Sequence, residues 1–333
     1  MKNFTALLLA SILCLQSCAQ NDKEMNEKAT QILSNLYKEV RHYDQRINYQ
    51  ADIFIGGCNL ELLINDFPVQ TYFDSGNGAI STSIPINTAI LRPGTQTWKI
   101  RIYPIHDVTQ INGVITKLPR ASIEENARVE IKIEGIRYKE NGDIEKHFGK
   151  VLEFKAPLIK DEKTGKNKLA DAGKTYIEYS GTFEANVPYN LSGWQNSEDL
   201  RSIEPEMLKL EVVKEYEKIS QWLKDRNLIN IAQAKLKSKK EEAQALFYNN
   251  STNNEYITDF IDTWGHENTK VQSLENYSLQ FYGNGKIVTL ISNTYKKSPL
   301  WATFKDDKNE DNYVIYSLYL HSPKGKKELE IIR

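Results

Sequence analysis

Between Gln50 and Val187 apolar residues tend to recur at every second position, and from Pro205 to Trp264 they recur at every third and fourth. The first spacing sends side chains to alternate faces of a strand, and the second gathers them on one side of a helix. One chain therefore has to bury two unlike kinds of surface. The pattern predicts an all-β sandwich domain followed by an α+β domain, helices packed on an antiparallel sheet.

Within the first part, Ala51–Ile55 and Asn59–Ile64 are separated by the turn pair Gly56-Gly57. Asn65-Asp66 closes a tight turn before Val69–Phe73, and Gly76-Asn77-Gly78 leads into Ala79–Ile84. Thr97–Tyr103 and Arg128–Tyr138 alternate cleanly, Asn141-Gly142 is a hairpin signal, and Val151–Lys155 and Thr175–Val187 follow. Seven or eight short antiparallel strands are the expectation, without the Cys-Trp-Cys spacing of an immunoglobulin domain. The lysine-rich stretch Pro157 to Lys174 reads as a solvated hairpin tip.

Residues 189–204 read as a linker. Pro205, flanked by Glu204 and Glu206, suits a helix start, and Leu208, Val212, Tyr216, Ile219 and Leu223 form one apolar stripe. A second helix is expected from Leu228 to Tyr248, its centre KLKSKKEE charged on all sides and exposed. A third should run from Asn254 to Trp264 with Ile257, Phe260, Ile261 and Trp264 inward. Strands return at Ser278–Tyr282, Lys286–Ser292, Leu300–Phe304, Tyr313–Leu320 and Leu329–Ile332, with Asn284-Gly285 as a hairpin turn.

The start of the chain is different in kind. Lys2 precedes an apolar run from Phe4 to Leu15, then Gln16-Ser17-Cys18 and an abrupt polar switch. Such a run is shorter than the roughly 20 residues a spanning helix needs, and has the length of a signal-peptide core. Leu15, Ser17 and Cys18 resemble the lipobox of bacterial lipoproteins. The resemblance implies diacylglycerol on the Cys18 thiol, cleavage before that cysteine and acylation of the new amino group. Several acyl chains give stable anchoring where one does not. Ala19, in place of an aspartate, is similar to the signal for the outer membrane. Asp22-Lys23-Glu24 looks like the export tags that carry some lipoproteins to the cell surface. The expected divisions are 1–17 signal peptide, 18–48 tether and short helix, 49–188 sandwich, 189–204 linker and 205–333 α+β domain. Leu33, Leu36, Tyr37 and Val40 give the short helix an apolar face, expected to pack on the domain that follows.

A formal charge of −1 offers no general field for nucleic acid. Of three cysteines, Cys14 leaves with the signal and Cys18 takes lipid, so Cys58 has no internal disulfide partner and reads as a small buried residue. Asp259, Asp262 and His266, with Glu267 beside them, fall near one helix face at a spacing able to hold a metal or an acid–base pair. Gly265 ends that helix and no H-E-x-x-H accompanies it, so they stand as weak candidates. His42, His106, His147 and His321 stand apart from one another, and no G-x-S-x-G elbow is present. Gly283-Asn284-Gly285-Lys286 lacks P-loop spacing. Of five tryptophans, Trp98, Trp222 and Trp264 occupy periodic apolar positions, whereas Trp194 lies in the linker among Gly, Ser and Asn. Trp194 is the candidate ligand contact, interdomain packing being its other reading. The sum is a lipid-anchored envelope binding protein without catalysis, cofactor or resident metal. Its address and architecture look like those of immunity lipoproteins, which implies a protein partner. The alternative is a surface glycan-binding accessory lipoprotein of a polysaccharide-uptake system, with a periplasmic hydrolase behind both.

Overall fold

A computed structural model describes residues 24–73, 78–111, 114–139, 141–266, 268–306, 308–326 and 328–333, with the side chains of 108–116 set aside. The expected signal peptide 1–17 and its Cys18 lie outside the described residues.

A helix, α1, covers 24–33. The β-rich part holds β1 (Asn48–Gly56), β2 (Asn59–Ile64), β3 (Phe67–Tyr72), β4 (Ile80–Pro85), β5 (Gly94–Tyr103), β6 (His106–Ile111) and β7 (Val114–Pro119). It continues with β8 (Arg128–Tyr138), β9 (Ile144–Lys155), β10 (Leu158–Lys160), β11 (Asn167–Leu169) and β12 (Ile177–Ala185). Then come α2 (Pro205–Lys224), α3 (Leu228–Ala245) and α4 (Asn250–Trp264). Last are β13 (Lys270–Val271), β14 (Tyr277–Tyr282), β15 (Ile287–Ser292), β16 (Trp301–Lys305), β17 (Asp311–Ile315), β18 (Leu320–His321) and β19 (Glu330–Ile331).

Two four-stranded antiparallel sheets, β4-β1-β8-β9 and β12-β5-β2-β3, pack against one another. Ala51, Ile53, Val129, Ile131 and Ile133 of the first meet Leu60, Leu62, Trp98, Ile100 and Ile102 of the second. Alternation made this core: in β1, β5 and β8 the buried positions fall at every second residue along most of each strand. The turn between β2 and β3 has Asn65 and Asp66 at φ 51° and 59°, the left-handed pair of a two-residue hairpin. The Pro157–Lys174 stretch forms the small hairpin β10-β11, with β10 fully exposed. The hairpin β6-β7 lies in a stretch where alternation had marked no strand.

Helices and two further sheets, β13-β16-β17 and β14-β15-β18-β19, enclose a second core. The α2 stripe is wholly buried, and the Glu204 carboxylate caps the helix by accepting the N–H groups of Glu206 and Met207. The α4 helix begins earlier than its apolar spacing indicated, because Asn249 and Thr252 form a reciprocal capping box.

Two expectations need correction. The N-terminal helix packs on the last unit, not the one that follows it. Ala29, Leu33 and Leu36 join the second core, and buried Asn253 of α4 donates to the Leu33 carbonyl and accepts from the Tyr37 N–H. The KLKSKKEE stretch is not exposed all round, for Lys235 and Ser238 are 5% and 1% exposed. In the stretch 189–204, Tyr189, Leu191, Trp194, Ser197 and Leu200 are all buried.

One amide joins the parts. Asn87, fully buried, accepts from the Tyr49 N–H at 2.6 Å and donates to the carbonyls of Ile47 and Ala245 and to the Tyr189 hydroxyl. Replacing it by alanine leaves several buried groups without partners, each worth about 1–3 kcal/mol. Asn87→Ala should lower the urea unfolding free energy by roughly 2–4 kcal/mol; a loss below about 0.5 kcal/mol would contradict this role.

Lys235 carries an opposite lesson. Burial, then the Lys239 charge, lowers its pKa from 10.5 to about 7, with Glu242 pulling the other way. The ammonium lies 5.0 Å from the Trp264 ring centroid. The unfolded chain holds this proton up to 10.5, so between those two values it binds more protons than the folded chain. Stability must rise with pH through that window, at up to about 1.4 kcal/mol per unit. Lys235→Met should therefore flatten the rise and stabilise the protein most at pH 7 and below. Urea midpoints measured from pH 6 to 10 check both; parallel curves would refute the burial penalty.

Candidate binding face beside the junction

Strand β2 is buried at all six positions, although strict alternation would leave half of them facing out. On its second face the C-terminal unit meets Glu61 through Tyr282, and Pro104 and His106 meet Asn59. On that face Glu61, 6% exposed, sits opposite Arg101 of β5, which sits opposite Glu178 of β12. The three form one rank across the sheet.

Arg101 binds both acids. Its Nη1–H donates to Glu61 Oε2 at 2.8 Å and its Nε–H to Glu178 Oε2 at 3.2 Å. The Tyr282 hydroxyl of β14 donates to the other Glu61 oxygen, and the Tyr176 hydroxyl donates to Glu178. Lys99 lies 3.5 Å from Glu178 and 3.9 Å from Asp66. Burial works against charge on Glu178, but Tyr176 and Arg101 more than offset it and hold its pKa below the usual value. Burial, then Glu61, pushes the Tyr103 hydroxyl up to about 12. Burial raises the Tyr282 and Tyr176 hydroxyls too, so these two donors stay protonated at neutral pH.

Alongside runs an aromatic rank. Tyr103 stands 5.0 Å from Phe73 and 5.3 Å from Tyr176, with the rings tilted. Exposure grades across the face, from Glu61 under cover, through the Arg101 side chain at 18%, to Tyr176 at 41%. The result is a pre-ordered face of tyrosine, arginine, lysine and glutamate, half covered and half open. A wider groove of about 470 Å³ crosses the other sheet's outer face. There Glu130 pairs with Lys155 at 2.8 Å, and Lys132 lies 3.8 Å from Asp52.

The residues singled out by sequence fall elsewhere. Trp194 is 5% exposed, its ring stacked on Phe67 at 5.2 Å with the Arg333 guanidinium 5.5 Å away. Phe67 in turn meets Tyr319 edge-on, so Trp194 packs the two units together. Asp259 and Asp262 are exposed, and His266 stacks on Phe304 at 3.9 Å. Glu267 lies outside the described residues. Among the described residues no group of three His, Cys, Asp or Glu could hold a metal ion. Cys58 is fully buried, and burial pushes its thiol up to about 12, well away from a reactive thiolate. His321 bonds Ser197 at 2.7 Å, and burial, then Lys237, lowers its pKa to about 4.

The Glu61–Arg101–Glu178 rank was not found from sequence. Its only local sign is a glutamate inside the apolar run Leu60–Ile64, and its partners lie 40 and 77 residues apart along the chain from Arg101. Comparison with protein-family models, curated proteins and solved structures finds no match to this chain. Among the described residues no helix is long and apolar enough to cross a membrane.

The bond between Glu61 and Tyr282 ties the face to the C-terminal unit. A double-mutant cycle of Glu61→Gln and Tyr282→Phe should give a coupling energy of about 1–3 kcal/mol in urea unfolding. Additive effects would show that the two groups do not act together.

Proposed function

We propose that this chain is a lipid-anchored binding protein of the Gram-negative envelope, a β-sandwich module followed by an α+β module. Cys18 holds it at the outer membrane, and it binds a protein partner without catalysis or cofactor. One observation carries the reading: the open half of the Tyr103–Arg101–Tyr176 face is already ordered by its covered half. Tyrosine and arginine dominate protein interfaces because they bring large contact area and directed donors. Pre-ordering lowers the entropic cost of docking. Lys99, Arg101 and Glu178 give the face both signs of charge, which suits a choice among partners more than general attraction. An immunity-type role, in which a delivered toxin is the partner, follows from address and architecture together.

Glycan capture on a stacking platform draws no support from Trp194, whose ring is held between Phe67 and Arg333. Anchoring has a geometric consequence. Helix α1 starts six residues after Cys18, so the C-terminal unit would sit within about 22 Å of the lipid.

Two measurements test the reading. Cys18→Ser should move the protein from the membrane fraction to the aqueous extract; identical fractionation of both forms refutes the anchor. A photo-crosslinking residue at Ser180, on the open face, should capture one envelope or delivered protein, and Tyr176→Ala should reduce the yield at least about fivefold. Equal capture from position 54 on the other sheet, or no effect of Tyr176→Ala, would remove the face from the account.

A further inference from the structure

The Asn65-Asp66 turn docks on the Gly283-Asn284 turn, whose N–H groups donate to the Asp66 carbonyl and carboxylate, and beside them lies a cleft of about 240 Å³ that the protein-binding reading does not use. Its walls are satisfied. The Asn65 amide donates to Gln96 Oε1 at 2.7 Å and to the Ala89 carbonyl, and the Gln96 amide donates to the carbonyls of Arg92 and Gly94. Its rim is not. Arg92 is exposed, and its guanidinium has no ion-pair partner among the described residues. The Lys286 ammonium spends one donor on the Gln195 carbonyl. The Gln195 side-chain amide donates to the Leu191 carbonyl, which leaves its Oε1 as an acceptor.

Beside these, Asn284 stands at φ 57° on a turn whose neighbour Gly283 lies against Trp194. A Cβ on Gly283 would come 2.9 Å from Trp194 Cδ1, so glycine is what lets the turn approach the indole edge. No carboxylate lines the cleft. The acids nearby are engaged with other donors: Asp66 accepts the Asn284 N–H, Asp199 takes both arms of Arg201 while its charge also acts on Lys286, and Glu184 accepts the Thr95 hydroxyl.

Two cations without a lining acid call for an anion. Side-chain amides around them call for hydroxyl groups. A space below the roughly 300 Å³ of a drug-sized pocket admits one ring. We propose that this cleft binds a single hydroxylated ring carrying a carboxylate, the chemistry of a hexuronic acid residue. The carboxylate meets Arg92 and Lys286, and the hydroxyls meet Asn284 and Gln195. Trp194 contributes its edge, not its face.

The test uses the full-length protein in detergent, labelled with 5-fluorotryptophan, with the Trp194 fluorine resonance assigned by its loss in Trp194→Phe. Glucuronate should shift that resonance saturably with a dissociation constant of about 1 mM. Glucose and acetate should each be at least about tenfold weaker. Arg92→Glu, at an exposed and unpaired position, should keep the fold, as judged by an unchanged thermal midpoint, and abolish the shift. No shift with glucuronate, an equal shift with glucose or acetate alone, or full binding by Arg92→Glu would each overturn the proposal. None of these outcomes bears on the face crosslinked from Ser180, so the two readings fail separately.

Discussion

A carboxylate buried between two structural units decides much of this molecule. Taking Glu61 out of water costs several kcal/mol unless its oxygens are met by strong donors. Arg101 meets one oxygen and the Tyr282 hydroxyl meets the other. One donor comes from the same sheet and the other from the C-terminal unit, so the charge is satisfied only when the units are in place. The neighbouring turns add to this. The Gly283 N–H donates to the Asp66 carbonyl and the Asn284 N–H to its carboxylate. On another flank Arg333, 6% exposed at its side chain, binds Glu241 at 3.1 Å and lies over Trp194. Glu241 also accepts the Gly193 N–H. Polar groups of this kind set one arrangement, because any other leaves them buried and unpaired.

That constraint explains how much could be read from sequence. Local periodicity reports which side of an element is apolar, so β1, β2, β5, β8, α2 and the turn at Asn65-Asp66 were legible. It does not report what lies over the other side. A glutamate in the middle of the strand Asn59–Ile64 carries no local sign of its cover, yet β2 is buried at all six positions. Lys235 looked like part of a charged, exposed helix centre, yet the whole side chain is buried with its ammonium 5.0 Å from the Trp264 ring centroid, and a lysine code carries no local mark of that burial. The stretch 189–204 has the composition of a linker, but its Tyr189, Leu191 and Trp194 are what the units share. The weak candidates Asp259, Asp262 and His266 were a consequence of helical spacing alone, and spacing does not make a cleft.

The same constraint shapes the proposed binding face. A rank of residues that is fixed at its covered end by Tyr282 is also fixed at its open end by Tyr176, since Arg101 links the two acids. Recognition on such a face would need little reordering. The N-terminal helix, built into the second core, would carry a lipid anchor's position to the C-terminal unit.

The most direct measurement is calorimetric unfolding of the full-length protein compared with Glu61→Gln. Joint satisfaction of Glu61 predicts one transition for the native chain, with calorimetric and van't Hoff enthalpies in agreement. It predicts a lower midpoint, or separation into two transitions, for the variant. Two independent transitions in the native protein, both unmoved by Glu61→Gln, would contradict the claim that the units stand or fall together on this carboxylate.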